Sequence, residues 1–138
     1  MRIKVIQVGK TKDLYIQDGV DEFVKRLGPY AKIETITVKD EAKIKLDESD
    51  FIVVLDERGR EMTSTEFSKF VEGHKDSGQT ICFVIGGAYG LPQNIKDDAD
   101  AVLSMSKMTF THQMIRLFLM EQLYRAVCIF SGKEYHNG

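Results

Sequence analysis

The chain has 138 residues, a formal net charge of −2, 43% hydrophobic and 29% charged residues, two prolines, two cysteines and no tryptophan. That composition excludes disordered, collagen-like and disulfide-scaffold classes, and the length suits a single domain spanning 1–138. Bulk charge also argues against a strongly basic nucleic-acid binder, and so small a domain has little surface for a large substrate unless a second copy helps.

The charge is uneven: residues 1–30 carry +2, residues 31–102 carry −6 and residues 103–138 carry +2. An anionic partner is therefore expected to touch the two ends. MRIKVIQVGK has no signal-peptide core, and the longest apolar runs are about five residues, far below the roughly 20 that span a bilayer. A cytoplasmic protein with no membrane partner is expected. Cys82 and Cys128 lie in apolar surroundings without CxxC spacing, which predicts reduced buried thiols and no metal site.

Along the chain, residues 3–8 read as a strand closing at Gly9. Residues 13–27 read as a helix capped by Asp13 and ended by Gly28-Pro29. KIETITV (32–38) alternates as a strand, and FIVVL (51–55) has the continuous apolar character of a strand buried on both faces. The polar stretch 39–50 between them is short for a parallel crossover. It predicts either one helical turn or an antiparallel edge strand. Thr63 or Ser64 caps a helix to about Lys75. Residues 80–85 are a second buried strand, 92–99 a short helix, 101–104 a short strand and 111–130 a long helix. The alternation predicts an α/β fold, a mainly parallel sheet with helices on both faces.

Ligands of open α/β sheets bind beyond the carboxyl ends of the strands. Three such ends stand out: Leu55-Asp56-Glu57-Arg58-Gly59, Gly86-Gly87-Ala88-Tyr89-Gly90 and Met105-Ser106-Lys107-Met108-Thr109-Phe110. The glycine turn is neither a Walker loop nor GxGxxG, and a tight strand-to-helix turn explains it equally well. The methionine-rich segment reads either as core filler or as an apolar slot for a flat ring. On the last helix Arg116 and Arg125 are nine apart and so opposed, with apolar residues flanking both. One apolar side is expected to pack on the sheet and the other on a partner subunit, with Leu119 taken for the partner side. Glu121 and Arg125 make either an i,i+4 ion pair or a pair that leaves the arginine for substrate. The closing Tyr135-His136 is either a frayed tail or a set suited to an anionic aromatic substrate.

Taken together, MRIKVIQVGK, KRLGPY, FVIGGAYG, LSMSKMTFTHQMIRLFLMEQLYRA and EYH resemble the SPOUT-class methyltransferases that modify N3 of a pseudouridine in bacterial large-subunit ribosomal RNA. The resemblance covers nearly the whole chain. It implies a C-terminal trefoil knot, S-adenosylmethionine as cofactor, a homodimer with cofactor sites at the subunit interface, and a ribosomal RNA stem-loop in the assembled ribosome as substrate. It implies cofactor contacts at Leu55, Gly86, Met105, Ser106, Lys107, Met108, Thr109 and Phe110. It places Arg125, Tyr135 and His136 on the substrate side, with His136 as a base and Arg125 as a charge stabiliser. The family usually carries a longer segment where 39–50 stands, and a basic residue where Asn137 stands. A nucleotide-binding module without catalysis, or a ribosome-binding SPOUT protein of weak activity, is the alternative.

Overall fold

A computed structural model describes residues 1–138. The elements in order are β1 (Arg2–Val8), α1 (Leu14–Leu27), β2 (Lys32–Val38), a 3-10 turn (Glu41–Lys43), β3 (Phe51–Glu61), α2 (Ser64–Ser77), β4 (Ile81–Ile85), α3 (Gln93–Asp97), β5 (Ala101–Ser104) and α4 (His112–Ser131). All five strands run parallel in the order β2-β1-β4-β3-β5. Strand two is thus a parallel edge strand, and the helical-turn alternative for 39–50 holds.

The topology follows from handedness. The steps β1 to β2 and β3 to β4 run one way across the sheet, while β2 to β3 and β4 to β5 run the other. Right-handed crossovers then demand opposite faces for the two directions. Accordingly α1 and α2 share one face with α4, around Ile3, Val5, Val53, Phe83 and Leu123. Residues Ile44, Leu91 and Ile95, from the 39–50 crossover and the chain around α3, cover the other, over Ile6, Ile52, Val54, Cys82 and Val84. The period of two explains the split, since alternate residues of each strand enter alternate layers. Every residue of β4 is buried, as a central strand with both faces covered requires.

Local signals set the helix ends. Thr63 and Glu66 form a reciprocal capping box at α2, and the Thr111 hydroxyl accepts from Met114 N–H at α4. Asp13 occupies the N-cap position of α1 but makes no side-chain cap bond.

Strand β3 runs on to Glu61, six residues past the apolar FIVVL. Its polar end DERGRE gives no buried-strand signal, because only its backbone is used. Leu103 of β5 stands in register with both Leu55 and Arg60, so residues 56–59 loop out between the two pairings.

Both cysteines are free and buried, and burial pushes the Cys82 thiol up to about 12. A maleimide should leave both unmodified in the native protein and label both in urea. Labelling faster than global unfolding would contradict that packing. An unfolded thiol ionises near 9 while Cys82 keeps its proton, so this residue lowers stability as pH rises beyond 9.

Candidate active site

The carboxyl ends of β1, β4 and β5 and the looped part of β3 surround a cleft of about 810 Å³. Leu55, Gly86, Met105, Ser106, Met108, Thr109 and Phe110 line it, so the three strand ends singled out in the sequence converge on one site. Lys107 does not line it. Its side chain is 82% exposed and its Nζ lies 3.6 Å from the Glu61 carboxylate. Sequence reasoning missed Lys12 and Gln113, which also line the cleft. The carboxyl-end rule applied to β1 would have found Lys12.

The loop 105–110 is held by hydroxyls rather than by backbone pairing. Ser104 Oγ donates to the Ser106 carbonyl at 2.9 Å, and Met108 N–H donates to Ser106 Oγ at 3.0 Å. Thr109 Oγ1 donates to Glu57 at 2.7 Å, tying the loop to the looped part of β3. No residue of 105–110 makes a backbone–backbone hydrogen bond, so most of its N–H and C=O groups remain for a ligand. Met108 and Phe110 are exposed apolar walls beside them.

Charges in the cleft are mixed. Asp56 and Lys96 pair at 2.6 Å. Burial pushes the Asp56 carboxyl up, but Lys96, the Arg58 N–H and nearby positive charge together hold it below the usual carboxylate range. His112 is depressed by burial and by the positive charges of Arg116 and Lys12, which favours the neutral ring. No group of three or more side chains able to hold a metal exists in the structure. No helix is long and apolar enough to cross a membrane.

The first turns of α4 fasten the loop after β1. Gln113 accepts from Lys12 N–H at 2.9 Å and donates to the Lys10 carbonyl at 3.2 Å. Arg116, 2% exposed, donates to the Val8 carbonyl at 2.7 Å and to Thr11 Oγ1 at 3.0 Å, and its Nε has no partner. It is a buried cation without a carboxylate, and burial lowers its affinity for the proton.

Arg125, Tyr135 and His136 come together, but not in the cleft. Arg125 forks onto Glu121 through Nη2 at 2.7 Å and Nε at 3.2 Å. Tyr135 donates to Glu121 at 3.0 Å, its ring lies 4.8 Å from the Arg125 guanidinium carbon, and Arg125 Nη1 is 3.0 Å from His136 Nδ1. The ion pair and the ordered tail therefore coexist. Arg125 lies thirteen residues after His112 on the same helix, roughly 20 Å along its axis from the cleft end of α4. Glu121 instead lines a smaller hollow of about 310 Å³ with Ser64, Phe67, Met105, Phe118 and Gln122.

Leu119 is fully buried in its own core, so a charge there would unfold the chain rather than separate subunits. Angular arithmetic gives the faces of a helix without saying which one is inside. The outward stripe is Met114, Phe118, Glu121 and Arg125.

A family model described as "Predicted SPOUT methyltransferase" matches residues 1–136. Curated relatives of high similarity carry the name "Ribosomal RNA large subunit methyltransferase H". The protein from Geotalea daltonii is 40% identical over 153 residues, covering 99% of this chain and all of the relative. That from Halothermothrix orenii is 42% identical over 159 residues with the same coverage. Both alignments exceed 138 residues, so these relatives are longer. A crystal structure of a methylase-family protein from Neisseria gonorrhoeae superposes with a TM-score of 0.50 at 10% identity, covering 97% of this chain and 95% of that one. That likeness speaks for the fold alone.

Proposed function

The chain belongs to the SPOUT methyltransferase family, and from that premise we propose that it is a methyltransferase of large-subunit ribosomal RNA, with S-adenosylmethionine as donor and N3 of a pseudouridine as acceptor. The observation that carries the reading is the convergence of Leu55, Gly86 and the 105–110 loop on one cleft. Residues Met105 to Phe110 suit an adenine ring, with apolar walls and an edge of free backbone groups. Lys107, whose side chain lies by Glu61, is the one member of the expected set with no place in the lining. Three carboxylates (Asp13, Asp56, Glu57) and three cations (Lys12, Arg58, Lys96) share the lining, with Asp56 held by Lys96, so the walls carry no excess of positive charge of the kind a polyphosphate needs.

When bound, the donor supplies an electrophilic methyl group. The chain's own task is to hold the imide nitrogen in line with it and to exclude water. Arg125, Tyr135 and His136 are the residues for that task. Their distance from the cleft of their own chain implies that a second copy brings them to it, so the working unit is a homodimer. The exposed apolar residues Leu14, Tyr15, Met108 and Phe110, beside the Met114–Phe118 stripe, are the surface for that contact. A knotted C-terminal part, which membership of this family implies, belongs to the same reading.

The test is transfer of labelled methyl from S-adenosylmethionine to ribosomes whose RNA lacks the modification, with mass mapping of the product. Labelled pseudouridine at N3 is expected, and no transfer to ribosomal RNA would overturn the reading. Phe118→Glu, on the outward stripe, should give a folded monomer in sedimentation with methylation reduced about 100-fold or more. A monomer of undiminished activity would remove the shared-site arrangement.

A further inference from the structure

We infer that Glu121 is a positioning residue which, through Arg125, holds His136 as a hydrogen-bond donor at Nε2 rather than as a proton acceptor. The inference rests on the methyltransferase reading above and replaces the expectation that His136 is a base.

The direction of one hydrogen bond carries it. A guanidinium has five N–H donors and no acceptor, so the 3.0 Å contact between Arg125 Nη1 and His136 Nδ1 runs from arginine to histidine. Nδ1 therefore holds a lone pair, and the single proton of the neutral ring lies on Nε2. To take up a second proton at Nδ1 the ring must first lose the guanidinium. A base needs a free lone pair, and in this arrangement the ring has none.

Glu121 fixes the arrangement. Its Oε1 accepts from Arg125 Nε at 3.2 Å and from Gln122 at 3.1 Å. Its Oε2 accepts from Arg125 Nη2 at 2.7 Å and from Tyr135 at 3.0 Å. With one edge of the fork engaged by Glu121, Nη1 is left for His136. Glu121 and Arg125 are each about three-quarters buried, at 23% and 24% exposure, which strengthens the pair. The chain end lies beside the Nε2 edge, since a Cβ built on Gly138 would stand 3.0 Å from Nε2, so a substrate carbonyl reaches that N–H only when Gly138 shifts aside.

A donor suits this reaction. The N3 of the base lies between two carbonyls. When it gives its proton to water, negative charge spreads to their oxygens. An Nε2–H aimed at one of them stabilises that charge. The N3 lone pair then forms the new C–N bond, the S–CH₃ bond breaks, and its electron pair stays on sulfur.

The experiment uses the full chain in two measurements. Single-turnover methylation of unmodified ribosomes, at saturating S-adenosylmethionine, compares wild type with His136→Gln, His136→Ala and Glu121→Gln. Glutamine places an amide N–H near the position of Nε2 and cannot act as a base. His136→Gln is expected within about fivefold of wild type and His136→Ala about 100-fold slower. Equal losses in both would overturn the donor role. Nitrogen-15 NMR of the histidine rings reads the tautomer without substrate: Nε2–H in wild type, and a mixture of tautomers with a rate about tenfold lower in Glu121→Gln. An unchanged tautomer and rate in Glu121→Gln would overturn the positioning role, as a protonated Nδ1 in wild type would overturn the whole. If wild type transfers no methyl group, the functional reading fails, and the NMR result still judges the tautomer.

Discussion

Gly59→Ala is expected to lower the stability of the protein by about 3 kcal/mol, the upper range for overfilling a packed site. An added Cβ would stand 2.6 Å from the Val102 carbonyl oxygen and 2.7 Å from its carbon. Both are main-chain atoms of β5, and β5 is pinned by its pairing with β3 on either side of the looped residues. A flexible side chain could turn away, but a strand backbone cannot. Gly73→Ala is the matching control. It lies within α2 with nothing within 4 Å, and removing helix glycine should stabilise by about 0.5–1 kcal/mol. Urea unfolding of both variants at one protein concentration decides the matter. A loss below about 1 kcal/mol at Gly59 would mean that the passage beside Val102 is loose.

Arg125→Ala is expected to reduce methyl transfer about 10²–10³-fold while changing stability by less than about 1 kcal/mol. The small stability effect follows because the Glu121 carboxylate keeps the Gln122 and Tyr135 donors when the guanidinium is gone. The large rate effect reflects how many of its N–H groups are committed: Nε and Nη2 hold Glu121 and Nη1 holds His136. Arg125→Lys should therefore rescue little, because an ammonium cannot form that fork. Binding of S-adenosylmethionine, measured by calorimetry, should stay within a few-fold of wild type, since Arg125 lines no part of its own chain's cleft and is assigned to the acceptor base rather than to the donor. A lysine variant with more than half the wild-type rate would show that charge alone suffices.

How much of this was legible in the sequence depended on the range of each interaction. FIVVL and TICFVI announce strands covered on both faces, because burial on both sides removes alternation. The capping box at Thr63 and Glu66 and the i,i+4 pair of Glu121 with Arg125 are local, and local spacing reveals them. The polar end of β3 shows nothing, since its pairing with β5 uses only backbone. Arg116 could be placed on a stripe of α4, but its partner is a carbonyl 108 positions earlier. No periodicity reports such a contact. Leu119 failed for a related reason: α4 is apolar on two sides, and only the packing of α1 and α2 decides which side is core. The tail was visible as residue types alone, and its order comes from Glu121.

The fastening of the loop after β1 by Gln113 and Arg116 sets a schedule for synthesis. Lys12 leaves the peptidyl-transferase centre about a hundred positions before the side chains that hold it. At roughly 5–20 residues per second, that loop waits on the order of 5–20 s for its anchors. During this interval the parallel strands are joined only by distant pairings, the slowest kind to form. No nascent fragment short of α4 therefore carries a finished cleft, and the growing chain cannot trap its small-molecule ligand before the whole fold has closed.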